Sequence, residues 1–585
     1  MERDVQSLTT RRDFVRRSAL TAAAAAAALP LAAGAESEQE PAAETVYDLV
    51  IYGGTSAAVT AAVQARRMGA TVAIVCPEKH LGGLTTSGLG WTDSKDGRAI
   101  GGLAREFYER VWKHYADDAR WTRQTRDSYL AQKVNAQPGP AIDEARKVMW
   151  TFEPHAAERV VEAWLAEEKV PVFRGEWLDR GPKGVEKQGA RIAAIRTLSG
   201  KRFRGRMFLD AGYEGDLMAA AGVPYRVGRD SAREYDEPLN GVRFPIKGVD
   251  RYHGEGAYAG IDPFVTPGDP KSGLIRGVEE VWETGKPQPL GDADPLRLQS
   301  FNFRLCLTRE RANRVPFAKP EGYDEREYEL LFRLLAVGKE SGFTTQAMPN
   351  RKTDSNSQGS MSGDFVGGNF SAREKWTFSE SSYDHRRRVI EAHRRYQLGL
   401  LWTLQNHARV PDAQKAKIAP WGLAADEFAD NDNWPYQLYI REARRMNGVA
   451  VVTQHHVQLK PGFAVKDPIG LGSYSLDSHS VRRVVVNGEI RSEGGFYIWW
   501  DTPYPLPYGC ILPPKTAATN LLVPVTVSAT HAAFGSIRME PTYMILGQSA
   551  ATAAVLALRG NVAVQDLSYA DLATRLAADR QVLAA

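Results

Sequence analysis

The residues with the clearest chemical potential follow the first apolar run of the chain. Gly53, Gly54, Thr55, Ser56, Ala57 and Ala58 come directly after Val46–Tyr52 and before a small-residue stretch that includes Ala61, Ala62 and Ala65. A diphosphate bound at a strand-to-helix turn needs a tight turn, close approach of the backbone, and a helix N-terminus aiming N–H groups at the charge. In the G-x-G-x-x-G/A pattern that meets these needs, Gly53 takes the first place and Ala58 the last. Thr55 stands where the middle glycine belongs. In such sites an acidic side chain at the end of the next strand accepts the ribose hydroxyls. Cys76 occupies that place, and Glu78 takes the role if the chain bends at Pro77. The paired glycines of His80-Leu81-Gly82-Gly83-Leu84-Thr85 then let a second loop press against the same diphosphate.

These residues need elements to hold them. Val46–Tyr52 is β-branched, apolar and of strand length, residues 57–69 suit a helix packed closely on a sheet, and residues 71–75 suit a second strand. Together they predict a βαβ unit. Residues 191–204 predict a β-hairpin around Ser199-Gly200, leading into Met207–Ala211. Residues 228–300, rich in Gly, Pro, Asp and aromatics, suit a loop-laden substrate region. Helices are predicted over His385–Thr403 and Tyr439–Met446, then a strand over Asn520–Thr526 and a helix over Gly547–Ala554. Gly470-Leu471-Gly472 mimics a second dinucleotide turn, but no clear apolar strand precedes it, so a nicotinamide site has no support.

The 585 residues are 43% hydrophobic and 25% charged, values of a globular protein, which exclude a disordered chain, a collagen-like repeat and a polytopic membrane protein. Residues 1–35 hold five arginines against three acidic groups, so the remainder carries only +2 of the total +4. So balanced a body gives no support to a nucleic-acid partner. Cys76, Cys306 and Cys510 lie far apart, with no C-x-x-C and no zinc-ligand spacing, so no metal site is expected. Thr10-Arg11-Arg12-Asp13-Phe14-Val15, the alanine run 22–28 and Ala33-Gly34-Ala35 resemble a twin-arginine export signal cleaved after residue 35. The expectation is a periplasmic or secreted protein with residues 36–45 as a linker and no membrane span in the mature chain.

The run from Tyr47 to Ser56, taken with His80–Asp93, resembles the exported bacterial FAD-dependent oxidoreductases. The resemblance continues through Phe208–Asp216, Phe301–Leu307, Met348–Lys352, Ile440–Arg445, His531–Pro541 and Gly547–Ala554. It implies an α/β fold: a Rossmann-like FAD-binding domain of the glutathione-reductase type with an inserted α+β substrate domain. The expected division is 46–225 for the first part of that domain, 226–505 for a substrate or cap domain with a helical segment, and 506–585 for the returning part. Non-covalent FAD is implied, held by Gly53, Gly54, Thr55, Ser56, Ala57, Ala58, Cys76, Glu78, Gly82, Gly83, Leu84 and Thr85. Asp210, Ala211, Gly212 and Asp216 form the second motif. Gly547, Ser549 and Ala550 belong to a helix that begins near Gly547 and turns its positive end to the flavin.

The implied reaction is hydride transfer between flavin N5 and a small organic substrate of the alcohol, glycoside or amine type. A quinone, a soluble carrier or oxygen would take the electrons. Removing hydride from a carbon bearing O or N is assisted by a base for the heteroatom proton. His531 and His479 are the candidates, with Asp477 to orient His479 and Arg538 beside the returning segment. Arg304 and Arg351 are candidates to hold the substrate. Two other readings stay open at this point: a serine hydrolase built on the loose elbow around Ser56, and a non-catalytic flavin- or ligand-binding protein.

Overall fold

Side chains along β1 (Val46–Tyr52) alternate between two cores. Leu49 and Ile51 enter the larger one, while Val50 and Tyr52 enter a smaller one on the opposite face. A strand buried on both faces belongs inside a parallel sheet covered by helices. The computed structural model describes residues 45–245, 256–280, 289–359, 361–366 and 378–584. The export-signal reading of residues 1–35 and the linker reading, apart from Thr45, lie outside the described residues.

From β1 the chain forms α1 (Ser56–Arg67), β2 (Val72–Cys76), β3 (Val172–Arg174), β4 (Val185–Gln188), β5 (Arg191–Arg196) and β6 (Arg202–Asp210). The sheet order is β3-β2-β1-β6-β5-β4. β1 runs parallel to β2 and β6, and β5 runs antiparallel to β6 and β4. With β2 on one side of β1 and β6 on the other, the sheet opens a crevice at the carboxyl ends of these strands, the usual ligand position in an open α/β sheet. The predicted βαβ unit and hairpin are both present. Met207–Asp210 is the continuation of the second hairpin strand, not a separate element.

After β6 comes a short helix, α2 (Asp216–Ala220), and further along the chain a longer one, α3 (Tyr383–Asn406). The last part then returns to the sheet. β7 (Leu521–Leu522) pairs parallel with β6, and α4 (His531–Ile537) leads into α5 (Glu540–Gly560), which packs along α1. Only two residues of the predicted strand 520–526 enter the ladder. α5 is long and apolar enough to cross a membrane by composition, but 89% of its apolar window is buried inside the protein.

Tyr439–Met446 is not the predicted helix. Tyr439 bridges to Asn302, and Arg445–Met446 pairs with Tyr225–Arg226. Arg441, Glu442, Arg444 and Arg445 are all buried, pairing with Asp364, His531, Asp216 and Asp230 respectively. An extended backbone delivers these charges to partners on different sides. A second sheet carries the strands Arg314–Val315, Gly422–Ala424, Leu305–Thr308, Lys352–Ser355 and Gln346–Met348 in that order. From Thr45 onward the chain clusters as one compact unit.

Candidate cofactor and active site

Gly53 turns with φ +106, a conformation L side chains rarely adopt. A Cβ there would fall 2.5 Å from the Gly212 nitrogen and 2.6 Å from the Ala211 carbonyl, so the turns after β1 and β6 press together. Thr55 reinforces that contact: its hydroxyl donates to the Ala211 carbonyl at 2.8 Å. The threonine in the middle-glycine position therefore faces the neighbouring turn and does not line the crevice. Ala57 and Ala58 are fully buried in α1.

A cavity of about 350 Å³ opens at the carboxyl ends of β1, β2 and β6, bordered among others by Tyr52, Gly53, Glu78, Gly83, Gly212 and Glu214. Glu78 is one of the acids presented to it. Burial, then the charge of Glu214, pushes its carboxyl up to about 8. Its Oε2 has no hydrogen-bond partner. A Cβ on Gly54 would lie 2.9 Å from that same oxygen, so the missing side chain keeps the acid's place clear. Cys76 belongs to the core instead. It is fully buried, its thiol is pushed up by burial, and it donates to the Glu78 carbonyl at 3.5 Å. A half-buried acid with one unpartnered oxygen beside a glycine turn fits the ribose of a dinucleotide whose diphosphate meets that turn.

Gly82 and Gly83 have φ of +99 and +57. A Cβ on Gly83 would meet the Tyr213 hydroxyl at 2.2 Å. That hydroxyl accepts the Leu84 N–H at 2.8 Å and donates to Glu540 at 2.6 Å, while Thr85 donates to Glu540 at 2.8 Å. The Ser56 hydroxyl also donates to Glu540, at 2.5 Å. Its partner is thus a carboxylate, not the imidazole of a Ser-His pair.

Two acids of the second motif are also engaged within the protein. Asp210 accepts the Gly212 and Met218 N–H groups at 3.1 and 2.7 Å, so it holds its own turn; burial pushes it up to about 7. Asp216 borders the cavity but is clamped by Arg386 at 2.7 Å, Arg444 at 2.9 Å and Arg180 at 3.4 Å. Burial opposes its ionisation, and the arginines overcome it, holding Asp216 well below the usual carboxylate range.

The C-terminal helix begins at Glu540, not near Gly547. Gly547 sits inside α5, where a Cβ would fall 2.3 Å from the Ala57 carbonyl. Ser549 donates to the Ile469 carbonyl at 2.6 Å, and Ala550 is fully buried. These three residues pack α5 into the core; the positive end of the helix belongs to Glu540–Thr542. Gly470 and Gly472 lie in the strand Pro468–Gly472, not in a nucleotide turn.

The two candidate histidines separate. His531 is fully buried, with Nδ1 2.7 Å from Glu442 and Nε2 3.1 Å from the Ser478 hydroxyl. Both nitrogens are occupied, so it is an anchor of α4 and not a free proton acceptor. His479 pairs through Nδ1 with Asp364 at 2.6 Å, whereas Asp477 stands 3.8 Å from Nε2. Asp364, not Asp477, orients the ring. Burial, then the charge of Arg441, pushes the imidazole down to about 4, so it is neutral at pH 7. Arg538 is buried, donating to the Tyr439 hydroxyl at 2.5 Å and to Asp477 at 3.2 Å. Arg304 is buried in a bidentate pair with Asp354. Arg351 is exposed and paired with Glu310.

Sequence reasoning passed over Asp93, Asp364, Tyr213 and Glu540 as site residues. Asp93 lies 3.7 Å from Arg304 and accepts from Gln137 at 3.0 Å; burial outweighs the arginine and raises its carboxyl to about 6. Asp93 and Glu540 stand inside the matching runs and were available there. Asp364 meets His479 across 115 residues with no local signal. Among the described residues, Glu153, His155 and Glu427 have metal-ligand spacing. The Lys352 ammonium already sits there, 2.8 Å from Glu153, 2.7 Å from Asp426 and 2.5 Å from Glu427.

Residues 48–576 match the family described as FAD dependent oxidoreductase. No curated protein matches the chain. Similar solved structures include a flavin monooxygenase from Stenotrophomonas maltophilia, with 14% identity, a TM-score of 0.17, and coverage of 28% of this chain and 37% of that one. The L-amino acid deaminase from Proteus vulgaris has 14% identity, a TM-score of 0.21, and coverage of 34% and 55%. The L-proline dehydrogenase from P. horikoshii has 14% identity, a TM-score of 0.22, and coverage of 32% and 59%. The chain thus spans less than two thirds of the length of each.

Proposed function

The chain belongs to the FAD-dependent oxidoreductases, and from that premise we propose that it transfers hydride between flavin N5 and a small alcohol, glycoside or amine. The single observation that carries the placement of FAD is Glu78, a half-buried acid whose unpartnered Oε2 is buried at the glycine-lined cavity. Gly53 and Gly54 let the diphosphate meet backbone, and Glu78 accepts from the ribose hydroxyls. When bound, FAD supplies the two-electron acceptor chemistry.

The chain's own residues supply the rest. His479, neutral and oriented by Asp364, takes the proton of the substrate's heteroatom. Arg538, which donates to the Tyr439 hydroxyl and to Asp477, itself 3.8 Å from His479 Nε2, orients the substrate together with Tyr439. FAD is held without a covalent link, and a glutathione-reductase-type arrangement, with 226–505 inserted between 46–225 and 506–585, is supported by the pairing of β7 with β6 and of α5 with α1. The arginine pair and alanine run of residues 1–35 support export, and a quinone, a soluble carrier or oxygen would receive the electrons.

An absorbance spectrum of the purified protein, followed by anaerobic titration with alcohols, glycosides and amines, tests this reading. Bound flavin bleached by one of these classes is the expected result. Flavin that none of them reduces would defeat the hydride-transfer reading, and a colourless protein that takes up no FAD would defeat the placement as well.

A further inference from the structure

Glu540 is the first residue of α5 and is 3% exposed, and no cation pairs with it among the described residues. An unpaired buried carboxyl is costly, and apolar packing would serve stability better. Its surroundings explain its presence. Oε2 accepts the hydroxyls of Ser56 at 2.5 Å and Thr85 at 2.8 Å, and Oε1 accepts that of Tyr213 at 2.6 Å. Tyr213 passes the link on by accepting the Leu84 N–H at 2.8 Å.

These donors come from three separate segments. Ser56 opens α1, Thr85 and Leu84 follow the paired glycines, and Tyr213 lies in the turn after β6. Each segment also contributes a glycine to the cavity wall: Gly53, Gly83 and Gly212. One carboxyl therefore spaces the three walls of the cradle. It also stands at two helix N-termini, where a negative charge is favoured. Burial pushes its carboxyl up, and the three hydroxyls pull it back.

We propose that Glu540 is a positioning residue for FAD: through Ser56, Thr85 and Tyr213 it fixes how the start of α1, the paired-glycine loop and the turn after β6 meet the cofactor. The proposal rests on the placement of FAD in the cavity described above. Hydrogen bonds set this spacing to within a few tenths of an ångström, so losing one moves a loop that the diphosphate must touch.

The test titrates FAD into stripped wild-type protein and into Glu540→Gln, Tyr213→Phe, Ser56→Ala and Thr85→Val, following flavin fluorescence, the visible flavin band and the melting point of each apoprotein. Glu540→Gln and Tyr213→Phe are expected to weaken FAD about tenfold or more and to shift the flavin band. The two single-hydroxyl variants should lose less, and apoprotein melting should change little. FAD affinities within about twofold of wild type in Glu540→Gln and Tyr213→Phe would overturn the proposal. So would losses that follow apoprotein melting across all four variants. If Glu540→Gln does not fold, the other three variants decide on the same criteria. Wild-type protein that takes up no FAD would instead overturn the placement of the cofactor.

Discussion

At Glu78 the burial that leaves Oε2 without a protein partner also makes the apoprotein pH-sensitive. The unfolded carboxyl titrates near its ordinary ~4.3, whereas in the fold it is pushed up to about 8. A raised carboxyl binds more protons folded than unfolded. The stability it contributes is therefore complete below about pH 4.3 and is lost as pH rises through about 8. Glu78→Gln apoprotein should melt higher than wild type, with a gap that opens across that window and is flat above it. Thermal melts followed by circular dichroism check this. FAD should reverse the order, because glutamine offers one acceptor oxygen fewer to the ribose; an affinity loss of about tenfold is expected by titration. The histidines predict opposite phenotypes. His479→Asn should retain flavin but slow its reduction by about 10²–10⁴-fold in stopped-flow traces. His531→Asn should lower the melting point instead, because Glu442 and Ser478 lose their shared partner.

At the scale of elements, the contact between α1 and α5 depends on Gly547. Alanine there would gain about 1 kcal/mol of helix propensity. Its Cβ would also meet the Ala57 carbonyl at 2.3 Å and the Thr60 hydroxyl at 2.6 Å. Overpacking of this kind costs about 1–3 kcal/mol, so Gly547→Ala should be net destabilising in urea unfolding. The same helix shows what can be read from sequence. β1, its glycine turn, α1 and β2 are legible because their signal is local: an apolar run, a glycine break and small residues at helical spacing. The start of α5 is harder. Glu540 and Pro541 are sound start signals, an acid in the first turn and a proline beside it. The small residues at Gly547–Ala554 obscure them, because they read as the head of a helix when they are its packing face. Tyr439–Met446 misleads for another reason: its charges look like the solvated face of a helix, but their partners Asp364, Asp216 and Asp230 lie far away in sequence.

Across the whole molecule, buried ion pairs tie segments that the sequence keeps apart. Lys352 joins Glu153 with Asp426 and Glu427, and Arg386 and Arg444 join Asp216 to the middle of the chain. Removing one side of such a pair leaves charge buried without compensation. Lys352→Met should cost about 3–5 kcal/mol in chemical denaturation. The glycine turns after β1 and β2 are legible in residue type and spacing, whereas the pairing of His479 with Asp364 and the contacts that gather at Glu540 come from long-range packing.

The central claim is that FAD lodges where Gly54 leaves Glu78 room at the ends of β1 and β2. Gly54→Val tests it most directly, since the backbone there needs no left-handed conformation and the added side chain would press on the Glu78 carboxyl and Leu81. Equilibrium titration of FAD into folded wild-type and Gly54→Val apoprotein should show one FAD per wild-type chain and an affinity at least about a hundredfold weaker in the variant. Equal stoichiometry and affinity in the two proteins would contradict the account.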